Sequence, residues 1–411
     1  MELKMKYSYS YFIYPYVIQE KNYRKYIEGL MKNKKYKPKF FEKDKNLGIY
    51  KFFLPTIREY MFKSFNLAKK TQMSVNTFDD KLRSNLFKES PCVMFEYEIG
   101  KNAQAKTGEE SGIFFKIEKI EVICFKTGIC FLAIKTNIED TDRFSDLLNF
   151  NLKFRDINSE TANLEEYRNI KIQTDTFSDI KMLSELIYEI TGKTKEAQKM
   201  DIDINRFFVY SYVCLDQEYW NETREFAEIE KEFYKFANVL NSEFNSTFDN
   251  DKLKTVNLGK YIKVGVSKAG INLLTSSINT VNYTNLPNEF ENEYLYAYIF
   301  TLYEKFYFAK ILQDFKSNVK HVKASKEFVK FTNDVWVHEL TNVDNGNLIH
   351  KETKEVLELK EVYGIVKEQY DVTYKGFKMK NNDMLNRVVF ILLAISIITN
   401  IVNFIKLYNL K

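Results

Sequence analysis

Few residues in this sequence stand in patterns that do chemistry. His338 opens the string HELTN, but a zinc-binding helix needs a second histidine four positions on, and Asn342 stands there. GVSKAG, residues 265–270, has the glycines of a phosphate cradle. It lies between two strand-like runs, whereas such cradles feed the N-terminus of a helix. GxxxxGK(S/T), GxGxxG and GxSxG do not occur. Asp201 and Asp203 in DIDIN could hold a cation, but a loop or strand edge uses the same residues. Lys126 and Lys268, each close to a turn glycine, could face one shared anionic ligand. Cys92, Cys124, Cys130 and Cys214 form no CxxC, and Cys124 and Cys130 sit in apolar runs as reduced core thiols. The expectation is no enzyme: no catalytic residue, no cofactor and no metal site.

A second set of polar residues sits in apolar surroundings. Ser396, Asn400 and Asn403 recur at spacings of four and three, on one helical face. They interrupt residues 388–405, a run without charge between Arg387 and Lys406. Roughly 18 residues of helix span about 27 Å, just enough to cross a hydrocarbon core. The run reads as a single transmembrane helix, residues 388–406. Amides facing lipid are costly, so the polar face should meet another helix or line a water-filled pore. Both alternatives require several copies of the chain.

Ahead of this run, Val356, Leu359, Tyr363, Val366, Tyr370, Thr373, Phe377 and Met384 alternate by three and four, broken at Lys380. Such a seam joins helices of different subunits, or packs a long helix on its own domain. No proline follows Pro287, so one helix could run unbroken from about Lys351. The expected partners are a membrane and further copies of the chain, four or more.

The elements that must position these residues occupy the rest of the 411-residue chain, long enough for two domains plus an anchor. The net charge of +5 is mild, and direct DNA binding is not expected. Residues 32–45 carry seven Lys against Glu42 and Asp44, a run that could touch nucleotides or anionic lipid. The 28 Tyr and 35 Phe match an AT-rich genome and are discounted as a binding signal. No N-terminal signal peptide is recognisable. Four basic residues precede the apolar run and two follow it. That bias places the body on the cytoplasmic side of a bacterial inner membrane, crossed once.

SYSYFIYPYVI (residues 8–18), FFLPTI (52–57) and VMFEYEIG (93–100) read as strands. Residues 101–111 read as an exposed loop. FFKIEKIEVICF and ICFLAIKTNI form a hairpin around Lys126-Thr127-Gly128. A helix begins in residues 140–150, capped by Thr141 or Asp142. The second half repeats the order, with a strand at 206–216, a helix at 222–240 and a hairpin turning at Gly270. The expected fold is therefore α+β. It comprises two ferredoxin-like units, residues 1–200 and 201–287, a helical and stalk region at 288–387, and the membrane helix.

The stretch KNNDMLNRVVFILLAISIITNI, residues 380–401, is similar to the junction of stalk and first membrane helix in CorA-type magnesium channels. That family continues with Gly-Met-Asn and a second membrane helix, and neither occurs in this sequence, so no selectivity residue carries over. A large body with a minimal membrane part also resembles antiphage effectors gated by a nucleotide signal. The resemblance implies an oligomeric membrane effector or ion channel, with a nucleotide-type ligand on the body. The stripe Ser396, Asn400 and Asn403 would then line its pore, and the seam Val356, Leu359, Tyr363, Val366, Tyr370 and Phe377 would form its stalk. The alternative is a tail-anchored scaffold or adaptor that conducts nothing.

Overall fold

A computed structural model describes residues 2–66, 79–100, 103–107, 113–156, 170–175, 179–192, 206–245, 253–317 and 321–408. Tyrosine-rich apolar runs dictate its centre. Strand β1 (Met5–Val17) is buried continuously from Tyr9 to Val17. Strand β9 (Phe208–Leu215) is buried from Val209 onward. Strands that are apolar on both faces have to be interior. They meet antiparallel, with Ser10 opposite Ser211, and their hydroxyls lie 2.8 Å apart.

Around this pair the chain builds β2 (Tyr36–Lys39), β3 (Cys92–Tyr97), β4 (Gln104–Thr107), β5 (Phe114–Phe125) and β6 (Ile129–Ile138). It continues with β7 (Ile170–Gln173), β8 (Lys181–Met182), β10 (Lys254–Gly259), β11 (Ile262–Ser267) and β12 (Gly270–Ser276). All belong to one 12-stranded sheet in the order β10-β11-β12-β9-β1-β6-β5-β4-β7-β8, with β3 on the second half of β5 and β2 beyond it.

The expected pair of ferredoxin-like units is therefore corrected to a single mixed sheet. Each half does place a hairpin beside its opening strand, but β6 runs antiparallel to β1 while β12 runs parallel to β9. Two separate units would have left β1 and β9, both buried on two faces, as edges. The hairpin turn itself forms as expected, with Gly128 at φ +88 and the carbonyl of Ile18 where a Cβ would stand.

Alternation along β1 sorts the core into two layers. The even residues Phe12, Tyr14 and Tyr16 share a layer with α1 (Glu20–Lys32), α5 (Phe144–Arg155), α6 (Leu183–Thr191) and α7 (Glu230–Asn238). The odd residues Tyr9, Tyr11 and Ile13 share the other with α2 (Leu47–Phe52), α3 (Pro55–Met61) and the C-terminal helices. A further helix, α4 (Asp80–Glu89), leads into β3. FFLPTI, expected as a strand, instead ends α2 and starts α3, because Pro55 at a first helical position starts a helix without losing a bond. β4 lies inside the stretch expected to be a loop.

Two short helical turns (Val281–Thr284 and Leu286–Glu289) and one π turn (Phe290–Tyr294) lead into α8 (Leu295–Lys316). This helix is apolar on all sides and accordingly central in its layer. α9 (His321–Asp334) and α10 (Asp344–Val356) pack on it. Glu358, at φ +56, breaks the chain between α10 and the last helix, α11 (Leu359–Tyr408), so the unbroken helix expected from Lys351 does not form.

α11 is 50 residues long, about 75 Å. Among the described residues no helix is long and apolar enough to cross a membrane. The transmembrane helix at 388–406 and the single-pass location in a bacterial inner membrane are corrected accordingly.

Candidate functional site

The sheet tyrosines explain how the π turn is held. Tyr9 and Tyr212 donate to the carbonyls of Pro287 and Asn282, at 2.8 and 2.5 Å. Tyr210 donates to the carbonyl of Phe290 at 2.6 Å, inside the π turn, where regular helical bonding is disturbed. Alternation is what aims these rings: residues two apart on a strand share a face. The tyrosine-rich texture discounted in the sequence thus has a structural use, and its period of two is the signal.

The π turn sets Glu291 over the sheet. Tyr11 donates to its Oε1 at 2.7 Å and Lys135 to its Oε2 at 2.7 Å. Lys135 also meets Glu118 at 3.0 Å. Further along β5, Glu121 is only 1% exposed, paired with Lys39 and, at 3.2 Å, with Lys119. Tyr296 of α8 donates to both Glu121 oxygens at 3.2 and 3.3 Å. Burial pushes the Glu121 carboxyl up, but Lys39 and Lys119 together outweigh burial and hold it at about 2. Three lysines and three glutamates here neutralise one another, which suits a structural tie between sheet and helix layer.

A second ionisable cluster lies between α8 and α10. Glu304 is 0% exposed, and Lys354 reaches its Oε1 at 3.0 Å. The same ammonium donates to the carbonyl of Val337 at 2.9 Å and lies 3.7 Å from the Trp336 ring centre. Glu304 Oε2 has no hydrogen-bond partner among the described residues. Burial drives the Glu304 carboxyl up to about 7, with Lys354 pulling the other way and losing. His350 takes Thr301 Oγ1 at 2.8 Å through Nδ1, and burial keeps its ring from charging. Trp336 stacks on Tyr363 of α11, with centroids 5.2 Å apart and planes 9° apart, so this cluster touches the root of the long helix.

The residues singled out in the sequence do not converge. Lys126 donates to the carbonyl of Lys88 and Lys268 to Glu358, so no shared ligand joins them. His338 and Glu339 are exposed, and no described group of three or more His, Cys, Asp or Glu could hold a metal ion. Asp201 and Asp203 lie outside the described residues. In the basic run, Lys35, Lys37, Lys39 and Lys45 are paired with Glu189, Glu98, Glu121 and Glu42.

The expected stalk divides in two. Val356, Leu359 and Val366 are buried in the chain's own core, Tyr363 stacks on Trp336, and Tyr370 packs near Phe328 at 5.3 Å. That part of the seam packs on its own body. The side chain of Phe377 lies outside the described residues, as do those of Asn400 and Asn403. Ser396 is exposed on α11. Beyond Tyr370 the helix leaves the body, and eleven large apolar side chains from Met384 to Ile398 are 47–73% exposed. No family model and no curated protein matches this chain.

Proposed function

We propose that the chain is a self-assembling scaffold, in which the projecting half of α11 joins copies and the sheet body is what they carry. The eleven exposed apolar side chains on one helix support this reading. Monomers seldom leave more than a few hundred Å² of contiguous apolar surface in water. At about 1 kcal/mol for each half-exposed side chain that is covered, the run holds on the order of 10 kcal/mol of unused hydrophobic free energy. The chemistry-bearing residues, by contrast, are scattered or already paired. Four of the seven lysines in the basic run are paired with glutamates.

Sedimentation equilibrium of the full chain between 1 and 50 µM, roughly the range where such interfaces form, tests the proposal. The expected mass exceeds the 48.9 kDa of one chain. Changing Val389, Ile391, Leu393 and Ile395 together to Ser removes apolar surface from opposite sides of the helix and should return the monomer. A monomeric wild type overturns the proposal, as does transfer to phosphatidylcholine vesicles in place of self-association.

A further inference from the structure

One stripe of α11 changes its role along the helix. Tyr363 and Tyr370, seven residues apart, face the body against Trp336 and Phe328. Met384, Ile391 and Ile398 continue the same phase at steps of seven, beyond the point where the body ends. Val388 and Ile395 fill the positions between them. The resulting spacings of four, three, four and three are those of a helix seam that meets other helices. All five side chains are uncovered, at 61, 47, 60, 55 and 60% exposure from Met384 to Ile398.

We infer that three or four copies of this chain pack along the stripe Met384, Val388, Ile391, Ile395 and Ile398, with the opposite side of the helix outside the seam. The inference rests on the scaffold reading above and gives it an interface and a copy number. A second copy is the occupant that fits, because a seam with this repeat is complementary to itself. β-Branched residues at both alternating positions, Val388 and Ile395 on one and Ile391 and Ile398 on the other, disfavour the two-stranded geometry and suit three or four strands. The same stripe has already met apolar partners at its root, so the helix needs no change of phase to meet them again further out.

Leu393 provides the control. At 3.6 residues per turn it stands on the side of the helix away from the stripe, and it is 54% exposed. Ile391→Asp and Leu393→Asp therefore introduce the same charge into the same exposed run, on opposite sides. Ile391→Asp should weaken association of the full chain by at least about 100-fold, read by sedimentation equilibrium, while Leu393→Asp should change it by less than about threefold. The wild-type mass should be that of three or four chains. A wild-type monomer defeats the scaffold reading itself. An assembly of two chains, or one that both variants weaken equally, leaves that reading standing and overturns the seam.

Discussion

Glu121 and Glu304 are both shut away from water, yet their carboxyls move in opposite directions from the ordinary value of 4.5, to about 2 and about 7. Burial opposes the charge at both. Glu121 has two ammonium partners and a tyrosine hydroxyl. Glu304 has one ammonium, itself shared with the Val337 carbonyl and the Trp336 ring, and one oxygen without a partner among the described residues. Each displacement is worth about 3 kcal/mol in favour of one protonation state. A buried carboxylate is thus kept charged by the number of its partners, and one partner is too few here.

The largest effect should come from unbalancing the first cluster. Lys39→Met leaves Glu121 buried with Lys119 alone, and should cost about 4 kcal/mol at pH 7, read by urea unfolding. A loss under about 1 kcal/mol would mean that Lys119 suffices, and the contrast with Glu304 would no longer rest on partner number.

The acid limb comes next. The folded value of Glu121 lies below its unfolded one, so its contribution is present above about pH 4.5 and is lost as pH falls through about 2. About 3 kcal/mol should disappear over that window, and Glu121→Gln should remove this part of the slope. Unfolding midpoints at several acid pH values give the comparison. An unchanged slope in the variant would place the acid sensitivity elsewhere.

A smaller effect is expected where the second cluster meets the long helix. Tyr363→Ala removes a stacked partner of Trp336 and should destabilise the body by about 2 kcal/mol. Because Tyr363 faces its own chain, association through residues 384–398 should persist in this variant. Loss of assembly with an unchanged body would return Tyr363 to the subunit seam.

Local patterns are legible in the sequence. Apolar runs and alternation mark β1, β5, β6, β9, β11 and β12, and Gly128 marks a turn that forms with positive φ. FFLPTI misleads because a short apolar run has no period of its own, and Pro55 decides it. Neither charged cluster is visible, since the partners are far apart in sequence: 82 residues from Lys39 to Glu121, 280 from Tyr11 to Glu291. The seam from Val356 to Met384 is visible as a pattern, but a period alone does not say whose surface it meets. Tyr363 shows that its first part meets the chain's own Trp336.

Glu304→Gln acts on the opposite pH limb, and it sharpens the comparison most. The folded value of Glu304 lies above its unfolded one, so its stabilising contribution is full below about pH 4.5 and is lost as pH rises through about 7. In the wild type this group should cost about 3 kcal/mol across that window. Glutamine keeps the shape and never ionises, so the slope should flatten. At pH 8 two changes oppose each other. The variant avoids the cost of burying a carboxylate, but it offers Lys354 a neutral amide oxygen in place of a charged one. The folded value near 7 already contains the attraction to Lys354, so between pH 5 and pH 8 the variant should gain about 3 kcal/mol on the wild type. Urea midpoints at pH 5, 6, 7 and 8 decide the matter. A slope that persists in the variant would assign the titration to another group, and a loss of several kcal/mol at pH 8 would show that Lys354 depends on the charge of Glu304 as strongly as Glu121 depends on its lysines.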